Sequence, residues 1–312
     1  MAFLSVVIPL YNKQDSIANT LKSVREQSFM DFEIIIVNDG STDKSATVVS
    51  TIKDDRISLF TTLNQGVSAA RNFGVEKANS PFIAFIDADD YWYPNHLEQL
   101  VKLYKTFPNC GLYATNYENY YSKNKVVPSH FEAYSQPNWQ GIVTDFFESS
   151  KVYRMALTSA VAIEKTVLLN NKGFDPELNY GEDLDLWIRI ASTQNVAFCN
   201  TVSVRYFFEG PNRISDSPTL KRKFPKLNQY KTEESNNPSM KCFLDLYRAE
   251  FAIKFKLAND FPTFQFYKNQ IDLNNLSLKT KVILKLPTLI LKVLYAFKKY
   301  LERKNILISI YH

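Results

Sequence analysis

The chain has 312 residues, 45% of them hydrophobic and 22% charged, which predicts a packed core large enough for one catalytic domain and an extension. Its net charge of +5 favours an anionic substrate or an anionic membrane surface. That charge is too small to indicate nucleic-acid binding, for which no motif is present. The sequence has no run of eighteen or more apolar residues, so a membrane-spanning helix is not expected.

The first 110 residues alternate between strand-like and helix-like segments. Predicted helices cover 16–28 and 68–78, a third passes through 48–52, and a fourth begins at Pro94. The predicted strands are 4–9, 33–37, 57–62 and 82–86. Because these strands are almost continuously apolar and alternate with helices, we expect a mostly parallel sheet with helices on both faces.

A polar cluster follows each of the four strands. The clusters are Tyr11-Asn12, Asn38-Asp39, Asn64-Gln65-Gly66 and Asp87-Ala88-Asp89-Asp90. Ligands of parallel sheets bind beyond the carboxyl ends of the strands, so these clusters are expected to meet at one edge. This expectation needs no knowledge of any family.

The middle of the chain is less regular. Strands are predicted at 111–121 and 152–163, and a loop at 131–141. A helix is predicted at 183–193, where Leu186 and Ile190 lie on one side.

The last part of the chain is helical in pattern. An amphipathic helix is predicted at 240–259, and the segment 278–304 is both basic and apolar, with an interruption at Pro287. One face of that segment carries Val282, Leu286, Ile290, Val293, Phe297 and Leu301, beside a stripe of Lys281, Lys285, Lys292, Lys299 and Arg303. Two interpretations stay open: packing on the catalytic domain or a second copy, and peripheral contact with an anionic bilayer.

The cysteine pattern bears on the compartment. Cys110, Cys199 and Cys242 are widely separated and form no disulfide framework, which is typical of a reducing cytoplasm. The first residues run directly into a strand pattern, so no signal peptide is expected. We therefore expect a cytoplasmic location, with the inner face of the membrane as the site of any peripheral contact.

The acidic run at 87–90 stands at the end of a buried strand. Carboxylate oxygens are hard ligands that suit Mg²⁺ or Mn²⁺, and such an ion would bridge them to a diphosphate. The alternative is that Asp89 and Asp90 cap the following helix. A helix cap explains Asp87 less well, because that residue lies at the end of the strand.

Four segments together resemble the family 2 glycosyltransferases. They are SVVIPLYN at 5–12, IVNDGSTD at 36–43, NQGVSAARN at 64–72 and FIDADD at 85–90. The resemblance implies a GT-A fold, Rossmann-like, and inversion at the anomeric carbon. It suggests a catalytic domain at 1–220, with a nucleotide-binding half at 1–110 and an acceptor half at 111–220, and the helical pattern of the last part of the chain adds a helical extension at 221–312.

The resemblance also implies roles for individual residues. Pro9, Tyr11 and Asp39 would contact the base and ribose, Arg71 the nucleotide and Lys13 the diphosphate, and Asn12 would also belong to the nucleotide-sugar site. Asp87 would face the ribose and the metal, and Asp89 would be the main metal ligand. The alternatives are a solvated lysine for Lys13, a turn-forming carboxylate for Asp39 and a helix-surface charge for Arg71.

The segment NYGEDLDLW at 179–187 resembles the family's Glu-Asp motif at the start of a helix. The resemblance makes Asp183 the base that takes the proton of the acceptor hydroxyl, with Glu182 orienting it or contacting the acceptor. The alternative is that both are first-turn acids favoured by the helix dipole.

A weaker similarity covers 204–208 and 212–215, a region that in some family members supplies a metal-ligating histidine. No histidine occurs there, so the remaining metal ligand is left unassigned. Arg213 is a candidate for diphosphate contact, with a surface arginine as its alternative, and His130 is a candidate neighbour of the acceptor.

These observations predict a hexosyltransferase that moves a sugar from a nucleotide diphosphate, with UDP-sugar as the expected donor, to a glycan or lipid-linked acceptor in polysaccharide biosynthesis. One alternative is a non-catalytic nucleotide- or glycan-binding module on the same fold. The other is a nucleotidyltransferase, against which the first loop argues because it lacks the glycine-rich basic signature of that class.

Overall fold

The computed structural model describes residues 2–208 and 217–303. Within these residues the chain forms two compact units, of which the first covers 2–146, 153–208 and 223–225. The second covers 147–152, 217–222 and 226–303. The predicted divisions after residues 110 and 220 stay predictions.

The first unit contains a ten-stranded mixed sheet with helices. Its strands are β1 (Leu4–Leu10), β2 (Phe32–Asp39), β3 (Ile57–Thr62), β4 (Phe82–Phe85), β5 (Tyr91–Trp92), β6 (Leu112–Ser122), β7 (Lys125–Pro128), β8 (Gln140–Ile142), β9 (Val161–Glu164) and β10 (Val196–Phe207). The helices up to residue 191 are α1 (Ile17–Arg25), α2 (Ser45–Thr51), α3 (Val67–Lys77), α4 (His96–Thr106), α5 (Phe146–Ser149), α6 (Lys165–Asn170) and α7 (Glu182–Ala191). All of them belong to the first unit except α5, of which only the first residue does.

The strand order is β3-β2-β1-β4-β9-β6-β10-β5, with β7 on β6 and β8 on β10. The pairs β3–β2, β2–β1 and β1–β4 are parallel, as is β6–β10, whereas β9 runs antiparallel to both of its neighbours. All seven residues of β1 are buried, so both faces of the sheet are covered there. The predicted α/β architecture is confirmed.

Two predictions for the middle of the chain need correction. The predicted strand at 152–163 is wrong over most of its length, because only Val161–Glu164 form β9 and Thr158–Ala160 make a single 3-10 turn before it. The long strand β10 was not predicted. Asn200 and Thr201 divide it into a short apolar run at 196–199 and a short alternating stretch at 202–206, and the register with β6 also shifts there, so no single pattern spans the strand.

The second unit is helical. It contains α8 (Lys231–Ser235), α9 (Pro238–Leu257), α10 (Phe261–Lys268), α11 (Leu278–Lys285) and α12 (Thr288–Arg303). Asn237, Asp260 and Ser277 cap α9, α10 and α11 by accepting a backbone N–H. The predicted interruption at Pro287 is confirmed, since it separates α11 from α12. None of the helices in the described residues combines the length and apolar composition that crossing a membrane requires.

Candidate active site

The loop after β1 is bound to the loop after β2. Asn12 adopts a positive φ of 50°, and its Oδ1 accepts the backbone N–H of Thr42 at 2.8 Å. The backbone N–H of Asn12 donates to Ser41 Oγ at 3.1 Å, and that of Lys13 donates to Ser45 Oγ at 2.7 Å. These bonds fix the path of the chain beside Tyr11, whose side chain is 43% exposed.

Asp39 connects the loop after β2 to the loop after β3. Its buried carboxylate accepts the backbone N–H groups of Gln65 at 2.9 Å and Gly66 at 2.8 Å. Gly40, with a φ of 69°, permits a close approach, because a Cβ there would lie 2.8 Å from the backbone nitrogen of Asn64. Asp39 therefore organises two loops at once, whatever its contact with a ligand. Pro9 is buried within β1, opposite Val37 of β2.

The acidic run joins the same edge of the sheet. Lys13 Nζ lies 2.6 Å from Asp89 Oδ2, and Ser16 Oγ donates to the carbonyl of Ala88 at 2.9 Å. The four predicted polar clusters thus form one continuous hydrogen-bonded rim. The alternative of a solvated Lys13 is wrong, since its side chain is only 13% exposed and is ion-paired.

The helix-cap alternative for the acidic run is also wrong, because α4 begins at His96 with Asn95 as its N-cap. Asp90 points instead into the core, where Ser159 Oγ and the backbone N–H of Phe207 donate to its carboxylate at 2.5 and 3.2 Å. Burial, with the charges of its neighbours Asp89 and Asp87, raises the pKa of Asp90 well above its usual value.

Ser159 is a supporting residue that the sequence did not indicate. Its hydroxyl donates to Asp90 and accepts the backbone N–H of Asp87 at 3.0 Å, so one side chain holds both ends of the acidic run. Its carbonyl accepts the indole N–H of Trp92 at 2.6 Å. Ser159 lies in no recognisable sequence motif, and only the fold brings it next to the acidic run.

We expect Ser159→Ala to lower the free energy of unfolding by about 2 kcal/mol, because a buried carboxylate and a backbone N–H both lose their partner. Urea unfolding followed by tryptophan fluorescence measures this change. Ser50→Ala is the control, since its hydroxyl is exposed and bonds only within α2. Equal stability of the two variants would contradict the structural role of Ser159.

Arg71 is the centre of the site. It is 3% exposed, and its two terminal nitrogens donate to Asp87 Oδ1 at 2.7 Å and to Glu182 Oε1 at 2.9 Å. Burial alone would lower the pKa of Arg71, but the charges of these carboxylates raise it above its usual value. The guanidinium also lies over the ring of Phe174, with 5.1 Å from Cζ to the centroid. The alternative of a helix-surface charge is wrong.

The predicted Glu-Asp motif opens α7. Gly181 precedes it with a left-handed φ of 74°, and Glu182 and Asp183 form its first turn. Burial and the charge of Asp183 raise the pKa of Glu182, against the opposing effect of Arg71. Asp183 Oδ1 accepts the backbone N–H of Leu184 at 2.7 Å, and its Oδ2 lies 3.5 Å from the hydroxyl of Thr158.

The helix that carries Arg71 also positions the segment before α7. Asn72 makes paired hydrogen bonds with the backbone of Phe174, at 2.7 Å from its Nδ2 and 2.9 Å to its Oδ1. Gly173 has a φ of 61° and no room for a Cβ, which would lie 2.5 Å from Asn72 Oδ1. Ser68 Oγ donates to the carbonyl of Leu178 at 3.2 Å. The sequence placed Ser68 and Asn72 in a motif without assigning either a role.

The histidines have separate environments. His96 is buried, lies 2.9 Å from Ser203 Oγ through Nδ1, and has its pKa lowered to about 3 by burial, so it is neutral at physiological pH. His130 is exposed beside Glu132, 2.9 Å away, and its contact with an acceptor stays a prediction. Arg213 lies outside the described residues.

Within the described part of the chain, no group of three or more His, Cys, Asp and Glu side chains is arranged to hold a metal ion. The two predicted ligands are each paired with a cationic side chain, Asp87 with Arg71 and Asp89 with Lys13. The side chains of Asp87 and Asp89 are 31% and 21% exposed. Both can therefore be reached from solvent.

Comparison with known proteins agrees with this geometry. A family model described as glycosyl transferase family 2 matches residues 5–161, which include the rim, Arg71 and Ser159. The chain belongs to glycosyl transferase family 2. The family assigns it to the glycosyltransferases, and the hexosyltransferase activity expected from the sequence agrees with named glucosyltransferases among its relatives.

Relatives of this family 2 glycosyltransferase differ in length. An uncharacterized glycosyltransferase of Rickettsia felis is 32% identical over 198 residues, which are 62% of this chain and 31% of that protein. The chain thus spans about a third of the first relatives it matches. A Campylobacter jejuni GalNAc(5)-diNAcBac-PP-undecaprenol beta-1,3-glucosyltransferase is 30% identical over 201 residues, 61% of this chain and 60% of its own.

A further relative and one solved structure cover more of the chain. The UDP-Glc:alpha-D-GlcNAc-diphosphoundecaprenol beta-1,3-glucosyltransferase WfgD of Escherichia coli is 26% identical over 72% of this chain and 83% of its own. The crystal structure of S. aureus TarS 1–349 in complex with UDP-GlcNAc aligns with a TM-score of 0.63 at 17% identity, over 90% of this chain and 86% of that one. The likeness confirms the GT-A fold.

Proposed function

We propose that this glycosyltransferase is an inverting enzyme that transfers a sugar from a UDP-sugar to a lipid-linked glycan. The observation that carries the proposal is the buried Arg71. Its guanidinium joins Asp87, on the nucleotide side of the site, to Glu182 at the start of α7, the helix that also carries Asp183. A chain that only bound nucleotides would gain nothing from a rigid link between those two positions.

The donor assignment rests on the rim of four loops. A carboxylate has about four lone-pair sites, so Asp39 can accept an imide N–H such as that of uracil beside its three present donors, the backbone N–H groups of Gln65 and Gly66 and the hydroxyl of Thr62. The half-exposed ring of Tyr11, in the loop after the neighbouring strand β1, offers a stacking surface. The solved relative TarS binds UDP-GlcNAc, and WfgD is named for UDP-Glc, which favours a uridine nucleotide here too.

The residues present fit a divalent cation. Asp87 and Asp89 supply hard carboxylate oxygens, and Asp89 already attracts a cation in the form of the Lys13 ammonium, 2.6 Å away. These two side chains would hold Mn²⁺ or Mg²⁺, which when bound offsets the charge on the departing diphosphate. Lys13, whose ammonium the cation would replace at Asp89, would then be available to neutralise a phosphate oxygen.

Asp183 is proposed as the base. The acceptor oxygen forms a bond with the anomeric carbon while the bond from that carbon to the diphosphate breaks on the opposite side, which inverts the configuration. The hydroxyl proton passes to Asp183 Oδ2, whose partners, the Thr158 hydroxyl at 3.5 Å and Arg154 Nη1 at 3.9 Å, are more distant than the Leu184 backbone N–H that donates to Oδ1 at 2.7 Å. Glu182, fixed by Arg71, keeps the first turn of α7 in place.

The acceptor assignment follows the relatives. Two of them are named for acceptors on diphosphoundecaprenol or PP-undecaprenol. A glycan carried by such a lipid during polysaccharide synthesis is the acceptor class proposed here, with the enzyme in the cytoplasm at the inner face of the membrane.

A heat-shift screen of the purified chain against nucleotide sugars, with and without Mn²⁺, tests the proposal. We expect one UDP-sugar to raise the Tm by about 5 °C at a concentration near a hundred times its Kd, only with metal, and to be hydrolysed slowly. Metal-independent UDP binding without turnover would instead indicate a non-catalytic module. Pyrophosphate release from a nucleoside triphosphate and a sugar phosphate would indicate a nucleotidyltransferase.

A further inference from the structure

Helix α12 exposes an apolar face that neither the fold nor the active site uses. Its large apolar side chains are between 46% and 79% exposed: Leu289, Ile290, Val293, Leu294, Phe297 and Tyr300. With 3.6 residues per turn, these six positions share an arc about 140° wide. Leu291, on a different side of the same helix, is only 2% exposed. The helix therefore buries one side and leaves its main apolar face in solvent.

Basic residues border this apolar face on both sides. Lys292 and Lys299 follow one edge of the arc, and Lys298 lies beyond the other. The segment 278–303 has seven basic residues and one acidic residue, whereas the whole chain has a net charge of only +5. This segment thus carries the whole positive excess of the protein, and the rest of the chain is close to neutral.

We propose that this face of α12 binds the surface of an anionic lipid bilayer, with the helix lying parallel to the membrane. Apolar side chains would enter the boundary between headgroups and acyl chains, and the flanking lysines would contact lipid phosphates. At 1.5 Å per residue the helix is about 24 Å long, so a flat orientation lets the whole face contact lipid.

The charge pattern favours lipid over a second copy of the chain. A symmetric pair of α12 helices would place the same face against itself and bring its lysine borders together, where like charges repel. An anionic headgroup layer complements those lysines. The inference rests on the proposed function in one respect, since a lipid-linked acceptor is located in the bilayer and the enzyme must reach it there.

Co-sedimentation of the full chain with vesicles tests this inference. We expect binding to vesicles of equal parts phosphatidylcholine and phosphatidylglycerol, weak binding to phosphatidylcholine alone, and release by salt. Val293→Glu with Phe297→Glu should reduce partitioning by more than tenfold, because two charges would enter the apolar boundary. Lys292→Gln with Lys299→Gln should reduce it about fivefold for each lysine removed.

The matched control is Met30→Glu with Leu169→Glu, which places two charges on residues of the first unit that are 60% and 61% exposed. It should bind vesicles as the unaltered chain does. A heat shift with UDP-sugar, measured for every variant, shows that each is folded. Unchanged vesicle binding by the Val293→Glu, Phe297→Glu variant would overturn the inference.

Two further outcomes separate this inference from its alternatives. One outcome is that the unaltered chain does not bind vesicles and is a dimer in light scattering, whereas the Val293→Glu, Phe297→Glu variant is a monomer. In that case a second copy covers the face and the inference fails. Donor hydrolysis in the absence of vesicles tests the proposed function separately. Vesicle binding without hydrolysis would overturn that function and leave the membrane surface standing.

Discussion

Asp183→Asn should abolish sugar transfer while donor binding stays intact. Asparagine has the size of aspartate, and its Oδ1 can still accept the backbone N–H of Leu184. It cannot take a proton from the acceptor hydroxyl, so we expect kcat for transfer to fall by about a thousandfold. Calorimetry with UDP and Mn²⁺ should give an unchanged Kd, because the donor side of the site is not altered.

Asp175→Asn is the matched control for the base. Asp175 lies in the segment before α7, where its carboxylate accepts the backbone N–H of Glu177. The substitution Asp175→Asn removes the same negative charge as Asp183→Asn, but at a position away from Glu182. Transfer by this control should remain near normal. Normal transfer by Asp183→Asn would show that another group takes the proton, and a weaker donor Kd would place Asp183 on the donor side.

The second large effect is expected for Asp89→Ala, which should remove metal-dependent donor binding. Loss of a residue that only supports a ligand commonly costs ten- to a hundredfold in metal affinity, so loss of the ligand itself should cost about a hundredfold or more. Titration of UDP with and without Mn²⁺ measures the effect. We expect the two titrations to become alike in the variant, because the ion has lost its main carboxylate.

A substitution at Lys13 adds a second test of the same metal site. It is paired with Asp89 in the structure, so Lys13→Met should make Asp89 easier for Mn²⁺ to reach in the absence of nucleotide. The same change should weaken donor binding, since a cation next to the diphosphate is lost. Asp55→Ala, at an exposed carboxylate before β3, should alter neither titration. Unchanged metal dependence in Asp89→Ala would place the ion elsewhere.

Much of the nucleotide half could be predicted from the sequence. The strand 57–62 was predicted with its observed bounds, and those at 4–9 and 33–37 within a few residues. A parallel sheet places the carboxyl ends of these strands at one edge, so four polar clusters had to meet there. The prediction failed where pairing depends on distant residues: the short strand β9 was extended back to residue 152, and β10, which Asn200 and Thr201 divide into two short stretches, was missed.

Local pattern and composition therefore determined the four strands of the nucleotide half, the amphipathic helices, the polar rim and the basic apolar end of the chain. Only the tertiary structure decided that Arg71 is buried between Asp87 and Glu182, a partner 111 residues away, and that Asp90 turns inward to Ser159. The physical reason is that periodicity records which side of an element is apolar. It does not record which distant carboxylate will share the low-dielectric space around a buried guanidinium.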